Sequence, residues 1–341
     1  MGKLKIAMTS PWKVRCGIAK YTEHLAKAIA RRGHEVYIVR VHRWGRPFPL
    51  EYWETLALRR IPEDVDIIHC QHEYGILHYC EHYLYKHLKF HGLPIVSTMH
   101  CTGINWQADE IVAKNSDVVI VHNKHCQSLL RHPSVIIPHG CSLCDPLPED
   151  KAIKTLQERW NINWSGPFVS IFGFVTPYRR YEDVIRAVGR LPDVHLLVAG
   201  GWHVEGEMPY IRQLQQLAAQ EAPYRVHFLG YIPDELLPAV FGASRVVVTP
   251  HVFSSESGAL LTTIGYGKAI LASRAGGFPE KERKGALLCY KDAEDLQLKL
   301  AMLLRDDDAR RRLEEGAKRY AERNSWEKVA CKHVKLYRSV V

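Results

Sequence analysis

Short apolar runs alternate with amphipathic stretches along the whole chain. Leu4 to Thr9 is an apolar run of strand length, and a Ser-Pro-Trp loop leads on to Gly17. From there Ile18, Tyr21, Leu25, Ala28 and Ile29 recur at the three- and four-residue spacing of one helix face. Arg31-Arg32-Gly33 is a helix stop, and Glu35 to Val39 is the next strand, so the chain opens with a βαβ unit. Brief β-branched runs follow at Asp66–His69, Pro94–Thr98, Asp117–Val121 and Val135–Ile137. They are apolar through most of their length, the pattern of strands covered on both faces of a parallel sheet.

The alternation pauses at the turn-rich stretch Asn-Ile-Asn-Trp-Ser-Gly-Pro, which ends at Pro167, and then resumes. Strands are expected at Phe168–Phe172, His195–Ala199, Arg225–Leu229, Arg245–Thr249 and Ala269–Ser273, the last closing the series. Helices are expected at Asp183–Leu191 and Ser257–Tyr266. Asp308–Glu322 is a charged amphipathic helix, and Asn324-Ser325-Trp326-Glu327 has capping-box spacing before a last helix with Val329, Val334 and Tyr337. The pattern predicts an α/β protein of two Rossmann-like, doubly wound parallel sheets. Residues 1–162 form the first domain and 163–324 the second, with the helix 325–341 expected to pack back on the first. Two such halves place a ligand in the cleft between them, at the C-terminal ends of the strands.

Composition narrows the class. The 341 residues are 46% hydrophobic and 24% charged, which excludes a disordered chain, a collagen or a coiled coil and suits about two domains. No apolar run reaches the roughly 20 residues of a membrane span, and residues 3–8 read as a first strand rather than a signal-peptide core. A cytoplasmic protein is expected. Basic residues exceed acidic ones by 46 − 37 = 9. That surplus permits a phosphate-rich ligand, nucleic acid or an anionic membrane surface. The charges are scattered and no nucleic-acid-binding motif occurs, so no nucleic acid partner is expected. Lys20, Lys27, Arg31 and Arg32 on the first helix fit either a solvated face or peripheral contact with the inner face of an anionic membrane. Cys141-Ser-Leu-Cys144 has no second such pair. The histidines at 69, 72, 78, 82, 87 and 91 lack a metal-binding framework, so no metal is expected.

Two nucleotide fingerprints fail. The loop from Met8 to Ala19 has one glycine and no GxGxxG, and a Walker A sequence is missing. Two other features point to an anion. Arg179 and Arg180 stand at a helix start, where the helix dipole disfavours cations unless an anion is bound; the alternative is a solvated surface pair. Ser254-Ser-Glu-Ser-Gly-Ala-Leu-Leu-Thr262 opens another helix, whose free N–H groups at Ser257, Gly258 and Ala259 can cradle phosphates. The plainer reading of Ser257 is an ordinary N-cap.

Seven motifs now fall in order: Gly17-Ile-Ala-Lys-Tyr-Thr, Arg32-Gly-His-Glu-Val36, Thr98-Met-His100, Ile137-Pro-His-Gly140, Gly173 with Pro-Tyr-Arg179, Gly230-Tyr-Ile-Pro-Asp234, and Ser257-Gly with Gly267-Lys-Ala-Ile-Leu. In this order and spacing the chain, from Ile6 to Tyr337, resembles the family 4 glycosyltransferases, with Gln71-His-Glu-Tyr-Gly-Ile76 as a subgroup marker. The resemblance implies the GT-B fold and retaining transfer of a hexose from a nucleotide-diphosphate sugar, of the GDP-mannose or UDP-glucose type. It also implies a saccharide or lipid-linked acceptor, no protein nucleophile, and neither metal nor other cofactor.

Residue roles follow from the same resemblance. Arg179 takes the place of a lysine on the donor diphosphate, assisted by Arg180, Gly173 and the 257–259 amides. His100 sits beside the donor sugar; the plainer reading is a core histidine. Gly17 lets the first loop approach the donor phosphates or the acceptor closely; the plainer reading is a turn glycine. Gln71, His72 and Glu73 line the acceptor side, with Glu73 placed to take the acceptor proton. The family's two glutamates fall on Ser254 and Thr262, so Glu256, two positions away, is expected to serve for the first, and Phe174 replaces an arginine. Loops near Gly230-Tyr231 and Gly200-Trp202 are expected to read the base. The losses at Phe174 and Thr262 keep open a non-catalytic nucleotide- or sugar-binding relative. A glycan phosphorylase would need a much longer chain.

Overall fold

The structure, a computed structural model, describes residues 2–14, 16–41, 61–77, 80–201 and 208–341. It divides into two compact units, one of residues up to Gly140 with Asn324–Val341 and one of Cys141–Arg323. Each is built on a six-stranded parallel sheet, and the chain has the two-Rossmann GT-B fold.

In the first unit β1 (Lys5–Ser10), β2 (Glu35–Arg40), β3 (Ile67–His72), β4 (Ile95–Met99), β5 (Val118–Val121) and β6 (Val135–Ile136) pair in the order β2-β1-β3-β4-β5-β6. Strand order reverses between β1 and β3, and a doubly wound sheet binds ligands where the order reverses. β3 runs past the expected end at His69: it is buried at every position, including its polar end. That extension holds because His69, Gln71 and His72 find hydrogen-bond partners inside the unit.

The helix Gly17–Arg31 turns Tyr21, Leu25, Ala28 and Ile29 inward, as their spacing predicts. It packs on the C-terminal helix Trp326–Tyr337, whose Trp326, Val329, Val334 and Tyr337 share its core cluster. The cap of that last helix is Ser325, which accepts from Lys328 N, so the capping register lies one residue later than Asn324 and Glu327 suggest.

In the second unit β7 (Phe168–Phe172), β8 (His195–Ala199), β9 (Val226–Phe228), β10 (Ser244–Thr249), β11 (Ile270–Ser273) and β12 (Leu288–Tyr290) run in the order β12-β11-β10-β7-β8-β9. β12 is a strand beyond the expected close at Ser273; three residues are too few to carry a period in sequence. The switch point here lies between β7 and β10. The division between units also falls earlier than the turn at 161–167. The helix Glu149–Trp160 belongs to the second unit because Ala152 and Leu156 pack with Leu237, Val240 and Phe241, and Trp160 Nε1 donates to the Leu229 carbonyl at 3.1 Å.

Candidate functional site

In the second unit the turns after β7 and β10 come together at the switch point. Gly173, directly after β7, has φ of +113°, a region that glycine alone enters easily. A Cβ there would lie 2.6 Å from Arg179 Nη1 and 2.9 Å from Ala259 Cβ. The missing side chain therefore marks the point where Arg179 meets the start of the helix Gly258–Gly265. Gly200, after β8, is pressed as closely, since its Cβ would stand 1.8 Å from the Gly173 carbonyl oxygen.

Arg179 is held on several sides. Its Nη1 donates to the Phe172 carbonyl at 2.8 Å, and its own carbonyl accepts from Tyr210 Oη at 3.0 Å. Backbone pairing with His251 ties its loop to the one after β10. Burial, helped by the Arg179 cation, pushes His251 down to about 2, so that imidazole is neutral. Arg180 is turned away: its Nε pairs with Asp183 Oδ2 at 2.8 Å on the first turn of its own helix.

The helix Gly258–Gly265 is capped by Ser257, whose hydroxyl accepts from Leu260 N at 3.3 Å. The N–H groups of Gly258 and Ala259 form no bond among the described residues, and nothing lies within 4 Å of where a Gly258 Cβ would point. The third amide expected to be free is not. Ser257 N donates to Glu256 Oε1 at 3.1 Å, while Glu256 Oε2 pairs with Lys281 Nζ at 2.8 Å. Glu256 thus has both oxygens engaged with the protein and faces inward. Thr262 donates its hydroxyl to the Gly258 carbonyl at 3.0 Å, one turn back along the helix. Two unbonded backbone donors at a helix start, with a guanidinium nearby at Gly173, make an arrangement that can hold an anion.

In the first unit Gln71 and His72 are neighbours at the end of β3, so their side chains leave opposite faces of the sheet, and Glu73 follows the strand. His72 is fully buried, its Nε2 lying 3.2 Å from Glu81 Oε1 on the helix Glu81–Lys89. Gln71 is also fully buried and meets His100, whose Nε2 is 2.9 Å from Gln71 Oε1. Two of the three expected acceptor-side residues therefore point into the unit. Glu73 is half-buried, and its Oε2 accepts from Gly75 N at 2.9 Å. It stands near Cys16, whose thiol is pushed up by burial first and by this carboxylate last. Gly17 is exposed, with open space beyond its Cα.

Three further positions need placing. His78 and Trp202 lie outside the described residues. Cys141 and Cys144 are free thiols, and burial pushes Cys141 up to about 12. Among the described residues no group of three or more metal-binding side chains comes together. On the first helix Lys27 pairs with Glu23 and Arg31 with Glu327, so part of its basic face is matched. No described helix is long and apolar enough to cross a membrane. Sequence reasoning missed Lys281, which is 25 positions from its partner, and His122, which contacts His100. The one available signal was the polar end of β3, since polar residues in a buried strand need partners.

Comparison with known proteins bears on the family and the fold. The model of glycosyl transferases group 1 matches residues 153–320, and that of glycosyltransferase family 4 matches 16–143. A D-inositol 3-phosphate glycosyltransferase of Corynebacterium urealyticum is 32% identical over 180 residues, covering 51% of this chain and 40% of that protein. A second protein of that description, from Corynebacterium glutamicum, is 25% identical and covered over 60% of its length. An uncharacterized glycosyltransferase of Methanocaldococcus jannaschii is 24% identical and aligned over 98% of both chains. Among solved structures, a glycosyltransferase from Rickettsia africae superposes with a TM-score of 0.80 at 18% identity, over 100% of this chain and 99% of that one. HepE of Anabaena, in complex with UDP-glucose, gives a TM-score of 0.76 at 15% identity, over 98% of this chain and 100% of that one.

Proposed function

This chain belongs to glycosyltransferase family 4, and from that premise we propose that it moves a hexose, with retention, from a nucleotide-diphosphate sugar to a hydroxyl of a saccharide or lipid-linked acceptor. The observation that carries the proposal is the meeting of Arg179, Gly173 and Ala259 beside the open Gly258 amide. A leaving diphosphate gains charge as its bond to the anomeric carbon breaks. A fixed guanidinium and helix-terminal N–H groups stabilise that charge without rearranging. In a retaining transfer without a protein nucleophile, the acceptor oxygen bonds to the anomeric carbon on the face the diphosphate leaves. Its proton passes to a departing phosphate oxygen. Arg179 and the amides supply the positive field, so the reaction needs no metal.

The donor is of the UDP-glucose or GDP-mannose type. UDP-glucose is the ligand of HepE, and an O-antigen mannosyltransferase is among the relatives, 23% identical over 189 residues. Thr262 favours one competing reading, because no carboxylate stands there to grip the ribose: a protein that binds the nucleotide sugar without transferring it.

The test is a thermal-shift panel of UDP, GDP, ADP and their sugar conjugates, with Arg179→Ala and Gly258→Val as controls. A ligand at 100 times its Kd adds about 2.7 kcal/mol of apparent stability. One nucleotide is expected to stabilise the wild type and neither variant. Stabilisation by none would overturn the reading. Binding without any transfer, followed by NMR of the product anomer, would leave the non-catalytic relative. A transfer rate unchanged by EDTA is expected, and its loss would overturn metal independence.

A further inference from the structure

The loops after β7 and β10 are zipped into a short antiparallel ribbon. Arg180 N donates to the Pro250 carbonyl at 2.8 Å, and Val252 N donates to the Tyr178 carbonyl at 2.9 Å. Between those two bonds Arg179 and His251 lie directly opposite each other. In an antiparallel ladder this is the pair without hydrogen bonds of its own, in which the Cα atoms approach to about 4.5 Å and the side chains share a face. The residues on either side leave the other face, where Tyr178 is 74% exposed and Val252 61%. The ribbon therefore turns Tyr178 and Val252 to solvent and keeps His251 on the side of Arg179, whose guanidinium lies beside Gly173.

That imidazole is unsatisfied. Its Nδ1 is buried with no hydrogen-bond partner, and its Nε2 makes no bond either among the described residues. The ring is partly exposed, and Nε2 is not one of the atoms closed off from solvent. Its other contacts fix it without using the ring nitrogens. Phe278 lies edge-on at 5.3 Å, and Ser273 donates its hydroxyl to the His251 carbonyl at 2.6 Å. Buried polar groups are bonded as a rule, so a ring nitrogen left open beside a cation calls for a partner from outside the chain.

The protonation state narrows what that partner is. Burial first, then the Arg179 cation, keep the ring neutral, so it has one N–H and one lone pair. An orphaned buried N–H is rarer than an orphaned lone pair, which places the proton on Nε2. The open end of the ring is then an uncharged donor next to a fixed guanidinium. An oxyanion held by Arg179 accepts from such a donor, and the bond to a charged acceptor is of the stronger kind.

We propose that His251 is a donor-binding residue whose Nε2–H bonds an oxygen of the diphosphate held at Arg179. This role rests on the transferase reading for the identity of the diphosphate, and adds a third kind of donor to the guanidinium and the helix-start amides. It also accounts for the residue type. A second cation here would repel Arg179 in the free protein, whereas a neutral ring does not.

Inorganic pyrophosphate, titrated calorimetrically into the full chain in EDTA, tests the bond with no base or sugar in play. His251→Leu should weaken its binding by about 10- to 100-fold, the range for a hydrogen bond to a charged group. His251→Gln carries an amide N–H near the position of Nε2 and should recover most of that loss. The melting temperature of free His251→Leu should be unchanged or higher, because an apolar side chain replaces an unsatisfied polar ring. A residue that merely braced the fold would lower it. In 15N-histidine spectra assigned with His251→Gln, the ring should stay neutral from pH 8 to 5.5, and its Nε2 signal should move when pyrophosphate binds. Unchanged affinity in His251→Leu, or no pyrophosphate binding by the wild type, would overturn the assignment. Transfer is read separately from the product. Binding that depends on His251, with no hexose transferred to any acceptor, would sink the transferase reading and leave His251 in place. Transfer at the wild-type rate and donor KM in His251→Leu would do the reverse.

Discussion

Lys281 Nζ lies 2.8 Å from Glu256 Oε2, with only 2% and 5% of the two side chains exposed. The pair sits under the loop that leads into the Gly258–Gly265 helix, and the second Glu256 oxygen holds Ser257 N. A buried pair loses most when one partner is removed, because the survivor keeps its charge without compensation. Lys281→Met should therefore cost about 3–5 kcal/mol in urea unfolding. Adding Glu256→Gln should recover part of that loss, since the glutamine is uncharged and still accepts from Ser257 N. A single-variant cost below 1 kcal/mol would show that the pair is not sealed as described.

Gly200 and Gly258 separate packing from binding. At Gly200 an added Cβ would stand 1.8 Å from a backbone oxygen, which cannot move without shifting the turn after β7. Gly200→Ala should destabilise by at least about 1–3 kcal/mol, the usual cost of overpacking. Gly258 faces open space at a helix start, so Gly258→Val should cost little stability yet block an anion from the amides. Thermal unfolding of the two variants, with and without nucleotide, checks both. Equal losses of stability would remove the case for an open site at Gly258.

Much of the fold was legible because parallel strands announce themselves as short apolar runs, and because Tyr21, Leu25, Ala28 and Ile29 mark a helix face without help. Arg179 and Ser257-Gly258 were legible for a similar reason, since a cation and a glycine at helix starts are locally unusual. Direction was not. Nothing local says that Glu256 turns inward to Lys281, or that Gln71 and His72 point into the unit, because long-range partners decide where a polar side chain goes. The unit boundary was misplaced likewise: the turn at 161–167 is real, yet the apolar face of the Glu149–Trp160 helix finds its partners on the far side of it.

Acid should weaken this protein below neutrality. Burial, above all, pushes His333 down to about 4 and holds His69 and His100 well below the usual histidine range. These groups are neutral when folded, whereas in the unfolded chain they ionise near 6.5. Between the folded and unfolded values the unfolded state binds more protons, so stability rises with pH there. It is fully present above about pH 6.5 and falls as the pH drops towards 4, by up to about 1.4 kcal/mol per fully buried histidine per pH unit. Urea midpoints at pH 7.5, 6.5 and 5.5 check the sign. A midpoint that holds or rises on acidification would mean that these rings gain protons freely in the native state.

The C-terminal helix should be as much a part of the first unit as any central element. Trp326 is 7% exposed, packs edge-on against Tyr21 at 5.2 Å and stacks with His24 at the same distance. A Cβ at Gly140 would lie 2.4 Å from its ring, so the chain entering the second unit passes directly against it. Trp326→Ala removes a large buried ring that its neighbours cannot refill, at about 3–5 kcal/mol. Tyr337→Phe keeps the ring but leaves His69 Nδ1 without its hydrogen-bond partner, at about 1–3 kcal/mol. Hydrogen exchange locates the damage: in both variants protection should fall across β1, β3 and the Gly17–Arg31 helix, while β7 and β10 keep theirs. Loss confined to residues 326–341 would show that the helix frays alone and carries none of the first unit's stability.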